Sequence, residues 1–254
     1  MKLLIIRHGD PDYTTDTLTE RGWQQAEAVG KRLADAGINR IFTSPMGRAR
    51  QTAEPACRLL GLTPTVEYWT HEVEDERLTH YPDGRRKSVS WVQNTYLREN
   101  GGLDLDYDHF MDCPGFHDTR MNEAQAYIEK NGNEFLERLG YREENGVYRI
   151  LRPSEEKVAL FCHRVFGLAW LSILLHIPMH MMWSSFSYTH TGVTCWSSRT
   201  IRMESPRPAA SAFPIWDTFT PPDWICSTIK NSHFEAKREA VSRLPFDYIG
   251  SPAS

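Results

Sequence analysis

The chain has 254 residues, with 29 Lys plus Arg against 33 Asp plus Glu, a formal net charge of −4, 40% hydrophobic residues and 24% charged ones. These are ordinary values for a folded protein and exclude a disordered chain, a collagen-like repeat and a coiled coil. The near-neutral balance supplies no global field for nucleic acid or an anionic membrane, so any anion site must be local.

Leu3 to Ile6 is a continuous apolar run that predicts a strand buried on both faces of a parallel sheet, and it ends directly in Arg7-His8-Gly9. Thr17, with Glu20 three residues on, reads as a capping box, and Trp23, Ala26, Gly30 and Leu33 follow at helical spacing until Gly37. Ile38 to Thr43 predicts a second strand, Ser44-Pro45 a helix start, and Arg48 to Leu60 a helix that Gly61 stops. A short strand covers Thr65 to Tyr68. The alternation of strand and helix predicts an α/β fold with helices on both faces of a mainly parallel sheet, a three-layer α/β/α sandwich.

From Val73 to Lys157 the pattern changes. Apolar periodicity is interrupted by Pro82-Asp83-Gly84, Gly101-Gly102 and Pro114-Gly115, with one helix expected from Met121 to Leu139 and a hairpin turn at Asn145-Gly146. This stretch reads as a cap inserted into a single domain of residues 1–254, without a core of its own. Sheet residues resume at Val158 to Cys162, followed by His163 and the apolar helix Val165 to Leu175. Val193 to Trp196 and Thr200 to Met203 suggest a paired edge, Ser205 to Asp223 a surface loop, and Asn231 to Arg243 a last polar helix.

The five cysteines are odd in number and contain no Cys-x-x-Cys pair, which argues against a disulfide scaffold. The apolar run before Arg7 is too short for the core of a signal peptide. Val165 to Leu175 falls well below the roughly 18 residues needed to span a bilayer. The expectation is a soluble, reducing, cytoplasmic protein with no nucleic-acid or membrane partner.

Three predicted strand ends carry the chemistry. In open α/β sheets ligands bind outside the carboxyl ends of the strands, and Arg7 and His8 stand at the first of these. Arg offers a fork matched to phosphate or carboxylate, and a neutral imidazole is a nucleophile. A surface Arg-His pair with a turn glycine would give the same tripeptide. At the second end, Arg48 follows a strand at a helix start, where amides and the helix dipole favour an anion; Arg50 reads as a solvated helix residue. Phe161-Cys162-His163 is the third.

With these elements in place the sequence resembles the histidine phosphatase superfamily, the phosphoglycerate mutase-like proteins. The resemblance rests on Leu4-Ile5-Ile6-Arg7-His8-Gly9, Leu18-Thr19-Glu20-Arg21-Gly22 with Gln25-Ala26, Ser44-Pro45 with Arg48-Ala49 and Gln51-Thr52-Ala53, and Phe161-Cys162-His163, in the family's order. It implies that His8 is the nucleophile, with its second nitrogen oriented by a backbone carbonyl, and that Arg7, His8, Arg48 and His163 form the phosphate pocket. It also implies that Glu72, in Trp69-Thr70-His71-Glu72, is the general acid. Glu74, Asp75 and Glu76 stand near enough to compete, and a merely solvated acidic run is the bland alternative. The family usually has glycine after its second histidine. Here Arg164-Val165 follow, which suggests that Arg164 binds a second anionic group of the substrate. Asp10 either tunes the pocket or caps the loop with Pro11.

The implied activity is hydrolysis of a phosphomonoester through a phosphohistidine at His8, with no metal and no cofactor, on a small phosphorylated substrate. Phosphoryl transfer of the phosphoglycerate mutase type is the alternative, disfavoured because the Gly-rich stretch of the specialised mutases is absent after the acid. A non-catalytic phospho-ligand binder is the reading from another class. His176 and His180, separated by Pro178, make no zinc motif. His190, before the strand Val193 to Trp196, could face the site, although it reads first as a surface or core residue. The aromatic residues Trp91, Tyr96, Tyr107, Phe110 and Phe116 read as the cap's own packing before they read as substrate contacts. Monomer and homodimer stay equally open.

Overall fold

The structure, a computed structural model, describes residues 1–73, 89–102, 106–113, 115–117 and 119–197. Residues Met1–Ile201 form one compact unit. The elements run β1 (Lys2–Arg7), β2 (Pro11–Asp12), β3 (Thr17–Leu18), α1 (Glu20–Ala36), β4 (Arg40–Thr43), α2 (Gly47–Leu60) and β5 (Thr65–Val66). They continue through α3 (Asn94–Glu99), α4 (Met121–Arg138), β6 (Tyr141–Glu144), β7 (Val147–Ile150), β8 (Lys157–Cys162), α5 (Arg164–Leu175), α6 (Met179–Ser185) and β9 (Val193–Ser197).

The five-stranded sheet has the order β5-β4-β8-β1-β9. Its first four strands are parallel, and β9 lies antiparallel on β1. Alternation along the strands sends side chains to opposite faces. Ile6, Ile41, Ala159 and Phe161 pack with Val29 and Leu33 of α1 and Ala53 and Ala56 of α2. Leu3, Ile5, Phe42, Leu160 and Cys162 pack with Phe166, Trp170 and Ile173 of α5 and Ile128 and Phe135 of α4. The sheet is therefore covered on both faces, which is the three-layer sandwich the sequence predicts.

Register positions the site. Arg7 pairs with Cys162 across β1 and β8, and Thr43 pairs with Phe161 across β4 and β8. Three neighbouring strands thus end at one level, and His8, Ser44 and His163 leave the sheet side by side. The His8 amide still donates to the Cys162 carbonyl at 2.9 Å and the Ser44 amide to that of Phe161 at 2.8 Å, so these residues begin as extensions of the ladder.

Some expectations shift. Thr19, not Thr17, caps α1, its hydroxyl accepting from the Gly22 amide at 3.0 Å. Thr17 is drawn into the β2–β3 ladder opposite Asp12, which removes it from the helix start. Strand β5 ends at Val66, and the chain turns into a 3₁₀ segment at Tyr68–Thr70. Pro178, read from sequence only as a stop, is the N-terminal cap of α6. The Asn145-Gly146 turn joins β6 and β7 with φ of 54° and 82°, as a two-residue hairpin of this kind requires. Val193–Ser197 pairs with β1. Thr200 to Met203, the loop Ser205 to Asp223, the helix Asn231 to Arg243 and the break Pro82-Asp83-Gly84 lie outside the described residues. Phe110, Phe116, Met121 and Phe135, from the stretch expected to be a cap, join the same apolar cluster as α5 and β8. Among the described residues no helix is long and apolar enough to cross a membrane.

Candidate active site

His8 is almost fully buried at the end of β1. Its Nδ1 lies 2.7 Å from the Gly9 carbonyl oxygen. A carbonyl only accepts, so Nδ1 carries the proton and Nε2 keeps its lone pair. The loop is held from α2, because the Gly9 amide donates to Thr52 Oγ1 at 2.9 Å. His163 stands beside it with ring centroids 5.2 Å apart, and its Nε2 is 2.7 Å from Ser44 Oγ. Thus the hydroxyl that follows β4 orients the imidazole that follows β8.

Two guanidinium groups complete the pocket. Arg7 donates from Nη1 to the Tyr188 carbonyl at 2.5 Å and from Nη2 to His190 Nε2 at 2.9 Å. Arg48, 2% exposed, donates from Nη1 to Asp16 Oδ1 at 2.5 Å. Tyr13 lies over Arg48, with its ring centroid 5.4 Å from the guanidinium carbon. Arg7 Nε and His163 Nδ1 are buried and have no partner among the described residues. Such orphaned donors and acceptors are costly in an interior unless a ligand meets them.

These surroundings set protonation. Burial pushes the His8 imidazole down to about 3 against the pull of its Gly9 hydrogen bond, and Arg48, Arg7 and His190 push the same way. Burial and the neighbouring Arg48 hold His163 well below the usual histidine range. Both rings are neutral at pH 7.

Among the described residues Glu72 is the carboxylate sealed into this environment, 8% exposed. Its Oε1 accepts from the Phe166 amide at 2.9 Å and the Val73 amide at 3.1 Å, and Oε2 from the Val165 amide at 3.3 Å. It therefore caps the N-terminus of α5 from outside the helix. Burial raises its pKa and outweighs those three amides and Arg48, which act to lower it. Glu74, Asp75 and Glu76 lie outside the described residues.

A profile of the histidine phosphatase superfamily, branch 1, matches residues 3–81. The chain is 29% identical over 112 residues to a Salmonella typhi protein described as "probable phosphoglycerate mutase GpmB", covering 37% of this chain and 52% of that one. Over residues 3–81 the chain is similar to the histidine phosphatase superfamily. It spans about half the length of that curated relative, and less of a 36% identical protein of the same description from Erwinia tasmaniensis, where 63 residues cover 21% of this chain and 29% of the other. Among solved structures, a mycobacterial glucosyl-3-phosphoglycerate phosphatase aligns at 19% identity and TM-score 0.49, covering 77% of this chain and 90% of that one. A phosphoserine phosphatase mutant from Entamoeba histolytica, complexed with phosphoserine, aligns at 18% identity and TM-score 0.48, covering 78% and 91%.

Arg164 follows His163 at the position where the resemblance to the family leads one to expect glycine. The Arg164 guanidinium is half-buried, with Nη1 and Nη2 at 3.2 and 3.3 Å from the Ser90 carbonyl and its carbon 4.1 Å from the centre of the exposed Trp91 ring. It lines a cavity of about 810 Å³ with Arg7, Arg21, Gln25, Trp91 and His190, and among the described residues no Asp or Glu borders that cavity. Asp10 is engaged in its own loop. Its carboxylate accepts from Thr19 Oγ1 at 2.8 Å, and its amide donates to Gln25 Oε1 at 2.7 Å.

Sequence reasoning passed over Asp16, Ser44 as a site residue and Thr52, and weighed a place facing the site for His190 only behind a surface or core role. Asp16 pairs with Arg48 and accepts from the Gly47 amide at 2.6 Å, at a left-handed φ of 53°. Only the positive φ has a sequence correlate, since Asp tolerates it better than most residues. His176 closes α5 as its C-cap, and the buried His180 places Nε2 2.6 Å from the Gly102 carbonyl oxygen. Among the described residues no group of three or more His, Cys, Asp and Glu side chains gathers as a metal site.

Proposed function

We propose that the protein hydrolyses phosphomonoesters through a phosphohistidine at His8. The observation that carries this is the fixed tautomer of His8, which leaves Nε2 unprotonated between two cationic side chains. A phosphoryl group in transfer spreads charge over its equatorial oxygens, and Arg7 and Arg48 are preorganised to receive it. His8 Nε2 donates its electron pair to phosphorus as the phosphorus–oxygen ester bond breaks. The leaving oxygen takes a proton from Glu72 Oε2, the oxygen with the single, longer amide contact. Water then attacks the phosphohistidine, gives its proton to the Glu72 carboxylate, and releases phosphate and the free imidazole.

The substrate is a small organic phosphate. A second acidic group would suit the cavity bordered by Arg21 and Arg164, which has no Asp or Glu among the described residues and where Trp91 offers an apolar face. The stretch Val73 to Lys157 supplies specificity as a cap, and the location is cytoplasmic. Return of the phosphoryl group to a substrate hydroxyl, as in a mutase, is the second reading, favoured by the description of the Salmonella relative. A screen of phosphomonoesters run beside a 3-phosphoglycerate mutase assay, both with EDTA, separates the two. His8→Ala must lose activity in whichever assay responds. Full activity in that variant refutes the mechanism, and tight phosphate binding with no turnover in either assay marks a binder.

A further inference from the structure

We propose that His190 is a positioning residue that holds the Arg7 guanidinium in the phosphate pocket by accepting a hydrogen bond at Nε2. The inference rests on the phosphate pocket proposed above, and it concerns a residue that sequence reasoning left on the surface or in the core.

The segment before β9 brackets Arg7. The Tyr188 carbonyl accepts from Nη1 at 2.5 Å, and His190 Nε2 lies 2.9 Å from Nη2. The bracket is itself anchored to β1, because Tyr188 Oη donates to the Ile5 carbonyl at 2.6 Å and the Thr191 amide to the Arg7 carbonyl at 3.1 Å. Guanidinium nitrogens have no lone pair to offer, so Arg7 must donate and His190 Nε2 must accept. That fixes the second tautomer of the site: the proton of His190 sits on Nδ1, which lies 3.5 Å from Asp10 Oδ1. Asp10, His190 and Arg7 thus form a directed chain from carboxylate to imidazole to guanidinium.

Two observations separate this from simple packing. The His190 ring is 5.6 Å from the His8 ring and borders the cavity that Arg7 borders. Two of the Arg7 donors are engaged by the bracket while the buried Nε has no partner among the described residues, so the bracket fixes the plane in which the remaining donors meet an anion. Burial and Arg7 hold His190 below the usual histidine range, although Asp10 opposes them, which keeps Nε2 free to accept.

The test uses side chains that divide the two nitrogens. Gln places an amide oxygen near the Nε2 position and can still accept from Arg7. Asn reaches only the Nδ1 position, and can face Asp10 but not Arg7. Binding of inorganic phosphate to full-length wild type, His190→Gln, His190→Asn and His190→Ala is measured by calorimetry, with thermal melts to confirm folding. The expected result is near wild-type affinity for the Gln variant and a loss of about tenfold for Asn and Ala, the size of one hydrogen bond to a charged group. Rescue by Asn and not Gln overturns the proposal in favour of loop anchoring through Asp10. Equal loss in all three variants, or loss in none, overturns it as well. Phosphate binding needs no turnover. A wild type that binds phosphate but hydrolyses nothing therefore refutes the proposed activity alone, while active variants with unchanged affinity refute the role of His190 alone.

Discussion

His8 is a buried imidazole next to two guanidinium groups, and the same burial that strips its proton also raises the pKa of Glu72. The two shifts are opposite in direction, and in the proposed mechanism they are complementary: one group is kept ready to attack and the other ready to donate. Because His8 must be neutral, kcat/KM should rise as pH increases through about 3. Because Glu72 must be protonated, it should fall again at a pH above the ordinary carboxylate range, and a pH profile of the free enzyme reads both limbs. Glu72→Gln should lower kcat/KM, which reports the first phosphoryl transfer, by about 10²–10⁴ for an alkyl phosphate and far less for p-nitrophenyl phosphate, whose leaving group needs no proton. Equal losses with both esters would remove Glu72 from the role of acid.

At the scale of elements, the site depends on close backbone contact between the loop after β1 and the first turn of α1. A Cβ at Gly22 would lie 2.1 Å from the Asp10 carbonyl oxygen, and one at Gly9 2.7 Å from that of Gly22. Neither obstacle is a flexible side chain. Gly22→Ala should therefore cost about 1–3 kcal/mol in urea unfolding and also weaken phosphate binding, because the displaced loop carries His8. Gly37→Ala is the control. Its φ is +69° with nothing within 4 Å of the added carbon, so strain should cost stability without touching phosphate affinity. Thr19→Ala should cost about 1 kcal/mol as a lost helix cap. The elements themselves were legible in sequence where an apolar run met a charged residue, as at Ile6-Arg7 and Cys162-His163. Their caps were less so, since Thr17 and Thr19 offer the same chemistry and only the β2–β3 ladder decides between them. The partners Asp16, Ser44 and His190 reach the pocket across 31 or more residues of sequence from the groups they hold, and no local pattern marks them. Arg7, His8 and His163 are placed together by strand register and Arg48 by the first turn of α2, which a sequence motif records only indirectly.

Across the whole molecule, the weak negative charge averages over a cationic pocket and an acidic remainder. Four histidines, His8, His163, His180 and His190, are held below their ordinary value of 6.5. The unfolded chain takes up protons at these four sites that the folded one does not, more than the opposing proton that the buried Glu72 holds in the fold, so stability should fall as pH drops below about 6.5. Urea midpoints at pH 7.5 and 5.5 check the sign, and inorganic phosphate, which binds only the folded pocket, should raise both. The central claim is covalent, and trapping the covalent species tests it most directly. Wild-type protein mixed with a turning-over phosphomonoester and quenched rapidly at alkaline pH should carry one acid-labile phosphoryl group, which peptide mass analysis places on His8, and His8→Ala should carry none. A phosphoryl group on another residue, or equal labelling of His8→Ala, would contradict the mechanism.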